Sequence, residues 1–297
     1  MRHAGLALIA AITLFAGVLA VTWLAGEGLS APASRNVGPP PASLPGSRPV
    51  VFQSGSGSTI GAWYAPGNPR QGIVVLAHPV RADRRSMLSR AVFLQRAGYA
   101  VLLYDAQAHG ESPGDRITFG FLEALDAAAA VTFAAEQDPG APVAFIGVSL
   151  GGAAALLGEK PLPVSALVLE AVYPTIREAI ANRVSLRLGE PGRFLVPFLL
   201  WQLPMRHGIS EAEFEPRRGI QAAAAPVLLL AGEKDQRTTL SQSQALFDAA
   251  PEPKAIWVIP GASHRDFHGF AGPAYEKKVL AFLADALQPA ESSPPPR

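Results

Sequence analysis

Six short apolar runs set the terms on which this chain can fold. Residues 73–77, 100–104, 143–148, 166–169, 227–231 and 255–259 are continuous rather than alternating, and rich in Val, Ile, Leu and Ala. A strand with apolar side chains on both faces has to be covered on both faces, as in a parallel sheet between helical layers. Stretches read as helical separate most of these runs, at 85–97, 119–136, 149–158 and 240–249, with a last one at 275–286. Strands alternating with helices of this length make β-α-β units. The predicted fold is therefore α/β, a doubly wound, mostly parallel sheet. Ahead of it, residues 50–55 and 59–64 flank a Gly-Ser-Gly turn and read as an antiparallel hairpin.

The interval 173–218 breaks the rhythm. It carries Phe194-Leu195-Val196-Pro197-Phe198-Leu199-Leu200-Trp201 between charged segments and is too long for an ordinary connection. We read it as a small helical cap insertion over the strand ends, the alternative being a helix packed beside the sheet and facing no substrate.

Residues 4–26 contain no charged side chain. Such a stretch is long enough to cross a bilayer as a helix and longer than the apolar core of most cleaved signal peptides. Arg2 lies on its N-terminal side and Trp23 near its other end, which favours an N-terminus in the cytoplasm and the bulk of the chain outside. Ala31-Pro32-Ala33 offers a small-residue cleavage site. Three roles stay open: an uncleaved membrane anchor, a cleaved signal leaving a secreted or periplasmic protein, and a buried helix. Residues 30–49, dominated by Pro, Gly, Ser and Ala, read as a linker, and 288–297 as a disordered tail. The expected organisation is a membrane anchor or signal at 1–29, the linker at 30–49, and one domain at 50–287 with its cap at about 173–218.

Composition excludes several classes of function. Twenty-five Lys and Arg balance 24 Asp and Glu, and basic and aromatic residues do not interleave, so no nucleic-acid surface is expected. The chain has no cysteine, which removes disulfides, thiolate metal sites and cysteine nucleophiles. No phosphate-binding or dinucleotide-binding loop is present, and no cofactor or metal is expected. Arg81, Arg84, Arg85 and Arg90 cluster after the first of the apolar runs; we read them as a solvated face, with contact to an anionic substrate group or lipid head as the alternative. Asp105 and Glu111 read as capping or pairing carboxylates, with cation binding as the alternative.

The chemistry is carried by Gly147-Val148-Ser149-Leu150-Gly151. Ser149 follows one predicted buried strand and opens a predicted helix, a sharp turn whose neighbours have to be small because strand and helix approach closely. A serine hydroxyl needs a base, and that base an orienting acid. His264, in Gly261-Ala262-Ser263-His264, lies just past one strand end, and Asp235, in Gly232-Glu233-Lys234-Asp235, just past another. The three candidates converge on one edge of the sheet. Oxyanion donors are expected from the N–H groups of Leu150 and Val80, since Pro79 has none to give. His78 is expected to brace the Val80 loop, His109 to organise a loop beside the pocket, His268 is a rival for the base, and His207 belongs to the cap.

In these residues the chain resembles the α/β-hydrolase superfamily, in particular small esterase- or lipase-like serine hydrolases with an anchored or exported domain. The resemblance covers roughly 50–287 and is weakest through the cap. A first loop that usually reads His-Gly-x corresponds to His78-Pro79-Val80. A motif that usually reads Asp-x-x-Gly-His-Gly-x-Ser corresponds to Asp105-Ala106-Gln107-Ala108-His109-Gly110-Glu111-Ser112, with Ala108 where glycine is usual. The resemblance implies hydrolysis of a small-molecule or lipid-like carboxylic ester through Ser149, His264 and Asp235 and an acyl-enzyme. A peptidase or amidase on the same fold and an inactive binding or scaffold domain are the alternatives.

Overall fold

In the computed structural model, which describes residues 2–287, the six apolar runs lie side by side as parallel strands. The chain begins with α1 (Arg2–Ser30) and the short β1 (Ala33–Ser34), then enters the sheet with β2 (Arg48–Gln53), β3 (Thr59–Ala65) and β4 (Ile73–Ala77). α2 (Leu88–Arg96) leads to β5 (Ala100–Tyr104), the short β6 (His109–Gly110) and α3 (Phe121–Gln137). β7 (Val143–Val148) runs into α4 (Leu150–Ala154). β8 (Ala166–Glu170) runs into the insertion, made of α5 (Ile176–Leu188), α6 (Val196–Leu200), α7 (Leu203–His207) and α8 (Pro216–Gly219). β9 (Val227–Gly232), α9 (Leu240–Ala249), β10 (Lys254–Ile259), α10 (Phe267–Ala271) and α11 (Pro273–Ala286) follow.

The sheet has eight strands in the order β10-β9-β8-β7-β4-β5-β3-β2. β3 is antiparallel to both β2 and β5, and the remaining pairings in this sheet are parallel. The runs are continuous because successive side chains feed opposite layers. Ile73, Val75 and Ala77 pack with Ala127, Ala130 and Val131 of α3 and with Leu246 of α9. Val74 and Leu76 pack with Ala91 and Leu94 of α2 and with Val279 and Leu283 of α11. The insertion has a small core of its own, built from Ile176, Ala181, Val196, Leu200, Leu203, Ile209 and Phe214.

Two expectations need correction. Residues 30–49 do not run free, because the domain supplies partners that their composition does not reveal. Ala33 pairs with His109 and Ser34 with Gly110 across β1 and β6. Glu111 accepts hydrogen bonds from the N–H groups of Val37 (3.0 Å) and Gly38 (2.9 Å), Trp63 Nε1 donates to Gly38 O at 3.2 Å, and Leu44 is buried. The arginine cluster, in turn, is a solvated face only at Arg81 and Arg85, which are exposed. Arg84 and Arg90 are 2% and 1% exposed. Arg84 donates to Asp105 at 2.6 Å and also pairs with Glu111, while Arg85 pairs with Asp83 at 2.9 Å. Arg81 donates to the carbonyls of Gly28 and Ala31 at the end of α1. The segment 288–297, read as a tail, lies outside the described residues.

Candidate active site

β7 ends at Val148 and α4 starts at Leu150, so Ser149 alone makes the turn. It sits at φ 50°, ψ −105°, a conformation that a residue with a Cβ holds only under constraint. The constraint comes from both sides. Its N–H donates to the carbonyl of Glu170 at the end of β8 (2.8 Å), and its carbonyl accepts from Ala153 N–H in α4 (2.9 Å). A Cβ on Gly147 would stand 2.5 Å from the Gly152 nitrogen, and one on Gly151 would stand 2.5 Å from Ala77 O. Strand and helix thus meet where only hydrogen fits, which is what the glycine spacing anticipates.

His264 and Asp235 follow β10 and β9, which together with β8 continue the sheet from β7. His264 Nδ1 lies 2.8 Å from Asp235 Oδ2, and since a carboxylate only accepts, the ring carries its proton on Nδ1. In the neutral form of the ring the lone pair is then on Nε2. The other carboxylate oxygen of Asp235 accepts from Arg237 N–H (2.8 Å) and Thr238 N–H (2.9 Å), and its side chain is fully buried. Gly232 lets the histidine loop approach: a Cβ there would stand 2.6 Å from Ala262 O. His268 turns elsewhere, to Ser89 Oγ at 2.9 Å and Glu276 Oε1 at 3.0 Å.

The loop after β4 is fixed by His78. Its Nδ1 donates to Pro79 O at 2.9 Å, and its Nε2 accepts from Ala106 N–H at 3.1 Å. Burial holds this ring neutral, lowering its pKa to about 4. His109 stacks obliquely on it, ring centroids 4.9 Å apart, and burial followed by the neighbouring His78 lowers it to about 4 as well. Val80 packs against Ala33, Ala108 and Ile117. Among the described residues its N–H and that of Leu150 have no intramolecular acceptor. Ala108 stands at φ 57°, the left-handed region that explains why glycine is usual at this place in the motif.

What the sequence did not announce is a buried bracket behind the serine. The Arg90 guanidinium grips both oxygens of Glu170 at 2.9 and 2.7 Å, and Asp266 at 2.8 Å; Tyr275 donates to Glu170 at 2.6 Å. Glu170 carries the carbonyl that holds Ser149 N–H, and Asp266 lies two residues past His264. One arginine of α2 thereby ties the serine turn to the histidine loop. On the other side, Asn182 of α5 donates to Arg237 O at 3.1 Å, tying the insertion to the Asp235 loop. Beside it, Arg183 donates to Ala179 O and lies within Coulombic range of Arg237, Asp235 and Arg187.

A cavity of about 530 Å³ lies between α3, the end of α4 and residues 212–225, and another of about 380 Å³ between residues 56–58, 113–118 and His207. Neither is lined by Ser149, Asp235 or His264, so cavity size does not point to the chemistry here. Among the described residues there is no group of three or more His, Asp or Glu side chains suited to a metal ion.

Comparison with known proteins agrees with this fold. The family described as serine aminopeptidase, S33 matches residues 68–201, a segment that includes the Ser149 turn. The uncharacterized protein Rv2307c of Mycobacterium tuberculosis is 33% identical over 258 residues, covering 84% of this chain and 85% of its own. The chain belongs to the α/β-hydrolase superfamily, in this S33-type family. Its relatives include YqkD of Bacillus subtilis, 23% identical over 237 residues and covering 78% of each chain. Among solved structures, the Pyrococcus furiosus esterase Pf2001 superposes with a TM-score of 0.70 at 20% identity, covering 87% of this chain and 98% of that one. At that identity the likeness speaks for the α/β-hydrolase fold.

Proposed function

We propose that this α/β-hydrolase is a membrane-anchored serine hydrolase of carboxylic esters. Ser149 is the nucleophile, His264 the general base, and Asp235 the group that orients it. The observation that carries this is the strained Ser149 turn, with an Asp235–His264 hydrogen bond of 2.8 Å at neighbouring strand ends. His264 Nε2 takes the hydroxyl proton as Ser149 attacks the acyl carbon. The N–H groups of Leu150 and Val80 receive the developing oxyanion, and His264 returns the proton to the leaving alkoxide. Water then repeats the sequence on the acyl-enzyme. His78 and His109 hold the Val80 loop as neutral rings, without taking part in proton transfer.

The family's description names a peptidase, which makes amide cleavage the second reading. Removing one residue at a time from an amino terminus calls for a carboxylate to hold the substrate ammonium. The insertion instead brings a cation, Arg183, near Arg237 and Asp235, which favours esters over amino-terminal amides. Solved relatives of the same fold carry the name esterase, in Pyrococcus furiosus and Exiguobacterium antarcticum.

For the anchor, the support is that α1 does more than precede the domain. His3–Ser30 is one helix of mean hydropathy 2.5, long and apolar enough to cross a membrane. Arg206 of α7 pairs with Glu27, donates to the Trp23 carbonyl and lies 4.1 Å over the Trp23 ring. Cleavage at Ala31-Pro32-Ala33 would strip these contacts from the cap, so an uncleaved segment fits better than a removed signal. The test of the chemistry is labelling by a fluorophosphonate probe, with Ser149→Ala as control, followed by matched ester and amide substrates. Labelling that survives in Ser149→Ala, or a faster amide, overturns the assignment.

A further inference from the structure

The sequence from Phe194 to Met205 has no charged residue, and the catalytic proposal makes no use of it. Val196, Leu200 and Leu203 turn inward to the core of the cap. Phe194, Trp201 and Met205 turn outward, 59%, 55% and 51% exposed. Phe198, half-buried in α6, lies between them in sequence, with Phe194 in the 3-10 turn before that helix and Trp201 directly after it. Large apolar side chains this exposed and contiguous mark a surface made to be covered.

What covers it follows from α1. The Phe198 ring meets the Phe15 ring edge to face, centroids 5.9 Å apart. A membrane span needs about 20 residues, and every window of that length within the uncharged stretch 4–26 includes Phe15. Such a window places Phe15 at least eight residues inside its outer end, about 12 Å along the helix axis and about 9 Å in depth at a strong tilt of ~40°. A cap side chain in contact with Phe15 is then below the headgroup plane. The Arg206–Glu27 pair, further along α1, lies at the interface, where charged groups remain hydrated.

We propose that the cap is a membrane-embedded element: α6 and α7 lie in the outer leaflet beside α1, with Phe194, Phe198, Trp201 and Met205 among the acyl chains. This rests on α1 crossing the bilayer and extends that reading from an anchor to a docking surface. Apolar helices held in the interface sink roughly 5–10 Å into it, consistent with the depth set by Phe15. Ser149 is thereby held at a fixed height over the lipid surface, and the ester class favoured is one dissolved in the outer leaflet.

The chain has no cysteine, so single cysteines can be placed without background. The full-length protein, reconstituted into phosphatidylcholine/phosphatidylglycerol vesicles with the domain outward, is labelled with an environment-sensitive fluorophore at Phe194→Cys, Trp201→Cys, Ile12→Cys in α1 and Lys278→Cys on α11. The labels at 194 and 201 are expected to be blue-shifted, quenched by acyl-chain nitroxide lipids, and roughly fivefold less accessible to iodide than the label at 278, as for side chains in the interface. If 12 is quenched by the lipid nitroxide but 194 and 201 respond like 278, the docking surface is overturned and the anchor stands. If 12 itself stays accessible to iodide, both fall. Labels at 194 and 201 shielded from iodide but untouched by lipid nitroxide would assign the face to a second copy of the chain and overturn the proposal.

Discussion

The strand ends that bear Ser149, Asp235 and His264 and the insertion beside them are held by different means. At the strand ends, placement comes from backbone hydrogen bonds, glycines where only hydrogen fits, and a buried arginine that binds Glu170 and Asp266 together. The insertion consists of one longer helix and several of four or five residues, with a seven-residue core and large apolar side chains left outside. Groups that exchange protons have to be fixed to fractions of an ångström, whereas a surface that meets a fluid partner gains from breadth rather than registration. The contrast separates residues whose loss stops chemistry, residues whose loss unfolds the domain, and residues whose loss does neither.

The largest effect expected is on chemistry alone. Ser149→Ala should lower kcat on the order of 10⁴- to 10⁶-fold while leaving the unfolding midpoint within error or above it, since the strained turn keeps its shape. A midpoint that drops would show the hydroxyl to be part of the framework. Asp235→Asn is expected to lower kcat by about 10⁴-fold, because an amide in place of the carboxylate no longer selects the Nδ1–H tautomer of His264. Steady-state rates on a short-chain ester read both.

Next comes the framework. Arg90→Met should remove about 3–5 kcal/mol of stability in urea denaturation, the loss expected when one member of a buried pair is left without the other. Arg90→Met combined with Glu170→Leu should recover part of that loss. A single variant as stable as the parent would reduce the bracket to decoration.

This arginine also marks the limit of what could be read from the chain alone. The parallel strands, the cap insertion and the strand-end positions of Ser149, Asp235 and His264 were legible because each depends on local composition and on where a strand stops. Arg90 reads as solvated because its neighbours in sequence are other arginines; its partner Glu170 lies 80 residues away. The Pro- and Gly-rich stretch before the sheet misleads for the same reason. It lacks apolar mass of its own, and the acceptors and packing surfaces that pin it, Glu111 and Trp63 among them, belong to another part of the chain.

Smaller effects follow from pH. His78 is held neutral with a pKa near 4 against 6.5 for a free ring. An unfolded chain therefore binds more protons between those values, so this stabilisation is complete above pH 6.5 and lost as pH falls towards 4. At pH 5 the loss is about 2 kcal/mol, with His109 acting in the same direction. Asp126 works against it: burial raises its pKa to about 6, so its protonation on folding returns about 1 kcal/mol between pH 7 and 5. Urea midpoints measured from pH 7 to 5 should fall. A rising midpoint would mean that the rings are charged in the folded state.

The smallest effect is expected in the insertion. Trp201→Ser and Phe194→Ser should change stability in detergent by no more than about 0.5 kcal/mol, because neither side chain belongs to the cap core. A loss comparable to that of Arg90→Met would erase the contrast between the two regions.

The bonds from Arg81 to the carbonyls of Gly28 and Ala31 carry a practical consequence for anyone isolating this hydrolase. Arg81 is the residue after Val80, and Ala33 packs against Val80 itself. A shortened protein started near Val50, the obvious choice for making a soluble enzyme, would lose β1, the acceptors of Arg81 and the floor under the loop expected to bind the oxyanion. Weak turnover by such a fragment would describe the cut and not the intact protein, because α1, β1 and the sheet domain are here one folded object.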